Sequence, residues 1–237
     1  MANRTVALVP AAGRGLRMGG ATPKQFLRLG GLPVLVHSLR ALEAAEDVVG
    51  IILAVPEAER EFCLREIVTP HRFTKIRQVV AGGAERQDSV RHGLEAVEGD
   101  AEFVLVHDAV RPFVTVEQIR LVIEAAAKHG AAVVAIPMRD TVKRVGPDGL
   151  VQGTVERGHL WLAQTPQAFR LELFREAHRK ALAEGIRGTD DTQLVERLGH
   201  PVAIVEGSGE NIKITRPEDL AIGEAILAAR KNVKREA

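Results

Sequence analysis

Short β-branched apolar runs alternate along this chain with stretches of helical periodicity. The apolar runs predict strands at residues 6–9, 49–55, 76–80, 103–106 and 131–136. The stretches between them place apolar residues three and four positions apart, which predicts helices at 34–45, 57–68, 86–97 and 116–129. This alternation favours an α/β fold with a mostly parallel central sheet and helices on both faces. Continuously apolar strands such as Val104-Leu105-Val106 are typical of sheets buried on both faces.

The pattern changes after Pro137. Two alternating polar and apolar stretches between residues 139 and 157 flank Gly146-Pro147-Asp148-Gly149, which predicts a β-hairpin too polar for the central sheet. Because an isolated hairpin is marginally stable in water, we expect it to pack on something else, most simply a second subunit.

The remaining chain returns to mixed α/β character, with helices near 171–184 and 192–198, a strand at 202–205 and a last helix from Pro217. We predict a single domain over residues 1–237 with a protruding arm at about 138–159.

Composition restricts the classes of partner and compartment. With 237 residues and 46% hydrophobic content the chain can bury one large core, while a net charge of +1 gives no global field toward nucleic acid or membrane. An anionic ligand must therefore be held by locally gathered cations. The single Cys63 excludes an intramolecular disulfide, and the first apolar run is too short for a signal peptide. We expect a soluble cytoplasmic protein with no nucleic-acid or membrane partner.

The loop after the first strand, Pro10-Ala11-Ala12-Gly13-Arg14-Gly15-Leu16-Arg17-Met18, is a candidate phosphate site. Gly13 and Gly15 allow close backbone approach to an anion, and Arg17 and Lys24 add charge-assisted hydrogen bonds. An ordinary strand-to-helix turn with surface cations would look similar. A dinucleotide loop fits less well because the third glycine is missing, and no Walker A sequence is present.

Asp108 follows the predicted strand at 103–106, so it stands at the carboxyl end of a parallel strand, where open α/β sheets bind ligands. A carboxylate near phosphates is a natural Mg²⁺ ligand, although Asp108 could equally stabilise its own loop by pairing with Arg111. We expect the neighbouring His107 to be structural.

Two further segments contain candidate cations. Lys213 lies between Ile212 and Ile214, so a strand there would place it on the face opposite the isoleucines, whether toward a ligand or toward solvent. On the arm, Arg139, Thr141 and Arg157 could form surface salt bridges or reach the phosphate substrate of a neighbouring subunit.

Taken together, these segments resemble one family, 2-C-methyl-D-erythritol 4-phosphate cytidylyltransferase of the non-mevalonate isoprenoid pathway. The matching motifs run in family order along almost the whole chain: the loop 10–18, Pro23-Lys24-Gln25, Gly82-Gly83 with Asp88-Ser89-Val90, His107-Asp108-Ala109 with Arg111-Pro112, Arg139-Asp140-Thr141-Val142-Lys143, Gln164-Thr165-Pro166-Gln167, Thr189-Asp190 and the segment 211–219. Each motif alone is only suggestive, whereas the ordered set is specific. Ala84 departs from the pattern, because some members have an acidic residue there.

The resemblance implies a Rossmann-like nucleotidyltransferase fold, a homodimer with exchanged arms, and CTP and Mg²⁺ as ligands. By position, the residues that would line the CTP site are Ala11, Ala12, Gly13, Gly15, Gly83, Ser89 and Ala109. Those that would act on the phosphates are Arg17, Lys24, Arg157 and Lys213, with Asp108 facing the metal. The substrate-side candidates are Arg111, Thr141, Arg157 and Thr189.

The implied reaction is cytidylyl transfer by in-line attack of the acceptor phosphate on the α-phosphorus of CTP, which requires positioning and charge neutralisation rather than a covalent intermediate. The chain has no metal-binding Cys–His cluster or Ser/His/Asp arrangement that would suggest other chemistry. A ribitol 5-phosphate or other sugar-phosphate cytidylyltransferase, and a non-catalytic nucleotide-binding protein of the same fold, remain alternatives. A dehydrogenase fits less well.

Overall fold

A computed structural model describes residues 3–13 and 22–236 of the chain. The strands are β1 (Thr5–Pro10), β2 (Arg28–Leu29), β3 (Leu32–Pro33), β4 (Val48–Val55), β5 (Ile76–Ala81), β6 (Phe103–Val106), β7 (Ala131–Pro137), β8 (Val142–Val145), β9 (Val151–Val155), β10 (Trp161–Arg170) and β11 (Ala203–Glu206). The helices are α1 (Val34–Ala44), α2 (Arg60–Cys63), α3 (Arg86–Glu95), α4 (Val116–His129), α5 (Leu171–Ala183), α6 (Thr192–Glu196) and α7 (Pro217–Glu236).

Seven strands form the central sheet in the order β11-β7-β10-β6-β1-β4-β5. Every neighbouring pair is parallel except those of β10, which runs antiparallel to both β6 and β7. The predicted mostly parallel sheet is therefore confirmed. The carboxyl ends of β1, β4, β5 and β6 meet at one edge, where the loops that follow them come together.

Alternate residues of the central strands enter two different hydrophobic layers. Ala7 and Leu105 pack in the layer beneath α1 and α4, whereas Leu8 and Val106 pack in the layer formed with α3 and α5. This alternation explains the uninterrupted apolar runs of the sequence, because both faces of each strand are buried under helices. The prediction of helices on both faces is confirmed.

The region predicted as one helix at 57–68 has three successive helical geometries instead. A 3₁₀ turn at Glu57–Glu59 leads into α2, and a π-helical turn follows at Leu64–Val68. Cys63 and Ile67, four positions apart, are both buried, so the predicted apolar face toward the sheet is retained although the helix is not regular.

Strand β10, which lies at the centre of the antiparallel pairing, was not predicted from the sequence. Pro166 and its two flanking polar residues break the apolar alternation, and proline argues against a central strand. The structure accommodates them at an irregularity in the β10–β7 pairing between Ala163 and Gln167.

The predicted arm is a β-hairpin made of β8 and β9, which pair with each other in a sheet of their own. At its base the Met138 amide donates to the Leu160 carbonyl at 2.9 Å. Its apolar side chains Val145, Leu150 and Val151 are more than half exposed, so the arm has no core of its own within this chain.

Helix α7 packs in a third apolar cluster, where Leu220 and Leu227 contact Leu29, Val110, Phe113 and Ile214. Among the described helices, none is both long enough and apolar enough to cross a bilayer.

Candidate active site

A cavity of about 880 Å³ opens at the edge of the sheet where β1, β4, β5 and β6 end, and we call it the main cavity. Its walls are the loops after these strands, at residues 10–13, 56, 82–86 and 108–110, together with Lys24, Gln25, Ser89, Lys213 and Thr215. This is the edge at which open α/β sheets bind ligands.

The loop after β1 reaches the main cavity through Ala11, Ala12 and Gly13. The Ala11 amide donates to the Ala54 carbonyl at 2.7 Å, which holds the loop against the end of β4. Gly15 and Arg17, both predicted to act on the triphosphate, lie outside the described residues. Their roles stay predictions.

Lys24 lines the main cavity from a 3₁₀ turn at Lys24–Phe26. The buried Gln25 fixes this turn, because its side-chain amide donates to the Ala11 carbonyl at 2.6 Å. The motif Pro23-Lys24-Gln25 therefore brings a cation beside the loop after β1, and Gln25 anchors the turn that carries Lys24.

A second wall is formed by the loop after β5, in which two glycines permit very close packing. A Cβ on Gly82 would overlap the Cβ of Ala12, and a Cβ on Gly83 would overlap the Cβ of Asp88. The Ser89 hydroxyl accepts from the Gly83 amide at 3.0 Å and donates to the Glu85 carbonyl at 3.2 Å. Ser89 thus shapes the loop whose backbone faces the main cavity.

Asp108 lies at the centre of a cluster of cations. Its Oδ1 is 2.9 Å from Nε of Arg86, its Oδ2 is 2.7 Å from Nζ of Lys213, and the same Oδ2 is 3.7 Å from Nε of Arg111. Burial alone would raise the pKa of Asp108, but the charges of these cations outweigh it and hold the pKa well below its usual range. Asp108 is therefore ionised at neutral pH.

Arg86 is the site residue that sequence reasoning missed. Its Nη1 is 2.7 Å from Oδ2 of Asp191, a fully buried carboxylate, while its Nε bonds Asp108. Burial raises the pKa of Asp191, although Arg86 opposes the shift. No pattern along the chain joins residues 86, 108 and 191; the only available indication was their position within or beside motifs of the family.

Lys213 reaches the main cavity from an extended segment. A strand was predicted there, but among the described residues this segment has no ladder partner, and only the Ile214 amide bonds across to the Val110 carbonyl at 2.9 Å. The predicted orientation of the side chains is nevertheless correct, because Ile214 points into the core whereas Lys213 contacts Asp108 at the cavity. Buried Asn211 anchors the segment by donating to the Thr165 carbonyl at 2.9 Å.

His107 lies below the cavity wall and is structural, as expected. The Thr165 hydroxyl accepts from the Asp108 amide at 3.0 Å, and it donates to Nδ1 of His107 at 3.1 Å, because the neutral ring carries its proton on Nε2, which faces a carbonyl. Nε2 of His107 then donates to the Arg111 carbonyl at 3.1 Å. Burial lowers the pKa of His107 to about 4, so the ring is neutral and holds the Asp108 loop.

Ala109 and Arg111 complete that loop in different positions. Ala109 lines the main cavity, and its carbonyl accepts from the Ser38 hydroxyl at 3.1 Å. Arg111 lies behind the wall, where its Nη1 donates to the Asn211 carbonyl at 2.7 Å. The predicted pairing of Arg111 with Asp108 is present, whereas its contact with substrate stays a prediction.

Three predicted substrate-side residues lie away from the main cavity of their own chain. Thr141 and Arg157 are exposed on the arm, where Arg157 donates to the Arg139 carbonyl. Thr189 lines a separate groove of about 350 Å³ beside β7, β10 and α6. The roles of Thr141 and Arg157 require a second subunit, and the roles of all three residues stay predictions.

The metal prediction for Asp108 meets a specific obstacle. Both carboxylate oxygens are already paired with cations, so a metal ion at Asp108 would have to displace Arg86 or Lys213 from one of them. Across residues 3–13 and 22–236, no three His, Cys, Asp or Glu side chains gather into a metal site.

Comparison with known proteins agrees with the motifs. A family model described as 2-C-methyl-D-erythritol 4-phosphate cytidylyltransferase matches residues 5–229. Proteins of that name are 50% identical over 227 residues in Syntrophus aciditrophicus, covering 96% of this chain and 97% of the relative, and 48% identical over 235 residues in Pelotomaculum thermopropionicum, covering 99% of each.

Solved structures show the same relationship. A crystal structure titled 2-C-methyl-D-erythritol 4-phosphate cytidylyltransferase, from Thermus thermophilus, matches with a TM-score of 0.76 at 38% identity, covering 93% of this chain and 97% of that one. A 4-diphosphocytidyl-2C-methyl-D-erythritol synthase from Anaerococcus prevotii matches with a TM-score of 0.83 at 33% identity, covering 94% and 98%. The predicted Rossmann-like nucleotidyltransferase fold is confirmed, and the chain belongs to the 2-C-methyl-D-erythritol 4-phosphate cytidylyltransferase family.

Proposed function

We propose that the main cavity is where this protein transfers a cytidylyl group from CTP to 2-C-methyl-D-erythritol 4-phosphate. The observation that supports this most directly is the meeting of two close-packed backbone loops, at 10–13 and 82–85, with Lys24, Arg86 and Lys213 at one sheet edge. Backbone amides and fixed cations are the groups that bind a nucleoside triphosphate.

In the proposed reaction an oxygen of the acceptor phosphate forms a bond to the α-phosphorus of CTP. The bond from that phosphorus to the oxygen bridging to the β-phosphate breaks, and pyrophosphate leaves with the electron pair. Because the acceptor is already anionic, no base has to remove a proton, and the protein supplies alignment and positive charge. We assign charge stabilisation at the α-phosphate and the leaving group to Arg17 and Lys24.

Lys213 and Arg157 have the complementary role of holding the two phosphates in line. Lys213 enters the main cavity of its own chain, whereas Arg157 is proposed to reach the cavity of a partner through the exposed arm. The exposed apolar residues Val145, Leu150 and Val151 support this dimer, because burying them would stabilise an exchanged arm. Thr141, Thr189 and Arg111 are proposed to contact the acceptor.

The nucleotide is proposed to lie against the backbone of Ala11, Ala12, Gly13, Gly15, Gly83 and Ala109, with Ser89 shaping the loop around it. Ala84 lines the cavity without a carboxylate, so backbone groups are proposed to recognise the base.

Mg²⁺ is proposed to accompany the triphosphate. This ion retains waters and is commonly bound through substrate phosphates, so it needs few protein ligands, with Asp108 as the candidate among the described carboxylates of the cavity. We propose a cytoplasmic location, supported by the single, buried Cys63.

The decisive experiment measures pyrophosphate release with CTP and Mg²⁺ in the presence of 2-C-methyl-D-erythritol 4-phosphate, ribitol 5-phosphate, or no acceptor. We expect rapid release only with the first acceptor. Preference for ribitol 5-phosphate would change the assigned acceptor, and CTP binding without release under any condition would indicate a non-catalytic nucleotide-binding protein.

A further inference from the structure

Four charged side chains of alternating sign form a continuous row from the protein interior to the wall of the main cavity. Oδ2 of Asp191 is 2.7 Å from Nη1 of Arg86, Nε of Arg86 is 2.9 Å from Oδ1 of Asp108, and Oδ2 of Asp108 is 2.7 Å from Nζ of Lys213. We call this row the ion-pair chain. Its inner end at Asp191 is 2% exposed and its outer end at Lys213 is 35% exposed, so it connects a dry interior to the cavity.

A buried carboxylate such as Asp191 is costly unless it is paired, so its presence calls for a physical reason. Holding the loop at 186–191 is not that reason, because two other side chains, Gln87 and Asp190, already do so. The Gln87 side chain donates to the Ile186 carbonyl at 3.0 Å and accepts from the Gly188 amide at 2.9 Å. Asp190 in turn accepts from the Gln193 amide at 3.1 Å and from the Gln167 side chain at 3.0 Å.

What Asp191 adds is the orientation of Arg86. A guanidinium that donates to one carboxylate through Nε and forms an ion pair with another through Nη1 is restrained at two points of its planar fork, which the single ammonium of a lysine could not reproduce. The fixed Arg86 holds Oδ1 of Asp108, and this leaves Oδ2 directed at Lys213. A displacement of about 1 Å at a group that aligns reactants can lower a rate about 100-fold, so such fixation matters at this site.

We propose that Asp191 and Arg86 are positioning residues, which act through Asp108 to hold the Lys213 ammonium in the main cavity. The inference rests on the proposed function, in which Lys213 aligns the phosphates. It assigns to a buried carboxylate 105 positions along the chain from Arg86 a task that its own loop does not require.

The test is a double-mutant cycle on Asp191→Asn and Lys213→Met. In the otherwise native protein we expect D191N to lower kcat about tenfold and to change KM for CTP much less, since alignment is lost rather than binding. In the K213M background D191N should lower kcat only slightly, because the ammonium that Asp191 helps to position has been removed. An equal loss of kcat in both backgrounds would overturn the proposal.

Gln87→Ala is the matched control, because it removes the two neutral bonds to the same loop and leaves all four charges in place. Any loss of kcat that it causes should be the same with and without Lys213, and thermal melting of each variant will report loss of stability separately. Arg86→Lys keeps the charge but replaces the two nitrogens of the planar fork with one mobile ammonium, so its loss of kcat should match that of D191N. Full activity in R86K would count against the ion-pair chain.

Crystal structures of the wild-type protein and of D191N supply a readout that is independent of turnover. We expect the Nζ of Lys213 to remain within hydrogen-bond distance of Asp108 in the wild type and to leave it in D191N. If the wild type releases no pyrophosphate with these substrates, the proposed function fails, and the ion-pair chain is then judged from the two structures alone. An unmoved Lys213 in D191N would overturn it.

Discussion

The carboxylate of Asp108 and the ammonium of Lys213 are 2.7 Å apart, although the two residues come from loops more than a hundred positions apart in the chain. Arg86 pairs with the other oxygen of the same carboxylate, and Nε of Arg111 lies 3.7 Å from the oxygen that Lys213 contacts. One anion is therefore placed among three cations that would otherwise repel each other. We infer that Asp108 sets the geometry of the positive charge that faces the phosphates.

The first prediction concerns the effect of Asp108→Asn on the reaction rate. The amide keeps the shape of the side chain but removes the charge that holds Arg86, Arg111 and Lys213 together, so kcat should fall about 100-fold, the scale of a lost transition-state contact. Steady-state kinetics with CTP and the acceptor will measure it. Asp100→Asn is the control, because Asp100 is exposed and pairs only with the surface Arg4 among described residues, at 2.5 Å.

The same variant tests the metal assignment. If the triphosphate supplies the Mg²⁺ ligands, the Mg²⁺ concentration for half-maximal rate should be the same in D108N and in the wild type. A severalfold increase would instead identify Asp108 as a metal ligand, as the sequence analysis predicted.

The local pattern of apolar residues was sufficient to predict the parallel strands and most helices, because the spacing of apolar residues within each element marks the face that is buried. It was insufficient for β10, whose Pro166 is tolerated only through an irregular pairing with β7. Arg86 and Asp191 could not be paired from the sequence either. Their contact depends on how α3 approaches the loop before α6, which is a tertiary relationship with no periodic trace in the sequence.

The second prediction concerns the backbone wall at Gly83. In Gly83→Ala the new Cβ would overlap the Cβ of Asp88 and approach its backbone, so the loop must move away from the position that Ser89 fixes. Affinity for CTP, measured by calorimetry, should fall at least about tenfold, whereas a cost confined to folding would lower only the melting temperature. In Gly209→Ala the new Cβ meets no atom within 4 Å, so this control should bind CTP normally.

The third prediction tests arm exchange by mixing two inactive variants. Arg157→Ala has an intact main cavity and a defective arm, and Lys213→Ala has the reverse. If each arm serves the partner's cavity, a mixed dimer contains one site with both residues intact. Random reassociation then yields about a quarter of wild-type activity, because half of the dimers are mixed and each has one working site.

No activity should return when either variant is incubated alone through the same unfolding and refolding steps. If the mixture also stays inactive while sedimentation shows dimers, Arg157 serves the cavity of its own chain, and the exchanged-arm proposal is wrong. An Arg157→Ala variant that is fully active by itself would show that Arg157 has no role in the reaction.

The last prediction concerns acid stability and His178. This ring is buried on α5 against Phe174, with ring centroids 4.5 Å apart, and neither nitrogen has a hydrogen-bond partner in the described structure. Burial, assisted by Arg91 and Arg86, lowers its pKa to about 4 from an ordinary value of 6.5. The unfolded chain therefore binds a proton more readily, and His178 costs stability as the pH falls from about 6.5 to about 4, by roughly 1.4 kcal/mol per pH unit.

His178→Phe keeps the aromatic packing, so the melting temperature should decline less steeply across this interval than in the wild type, with His107 accounting for part of what remains. The same substitution at the exposed His129 is the control, and an unchanged decline in His178→Phe would show that His178 does not set the acid sensitivity.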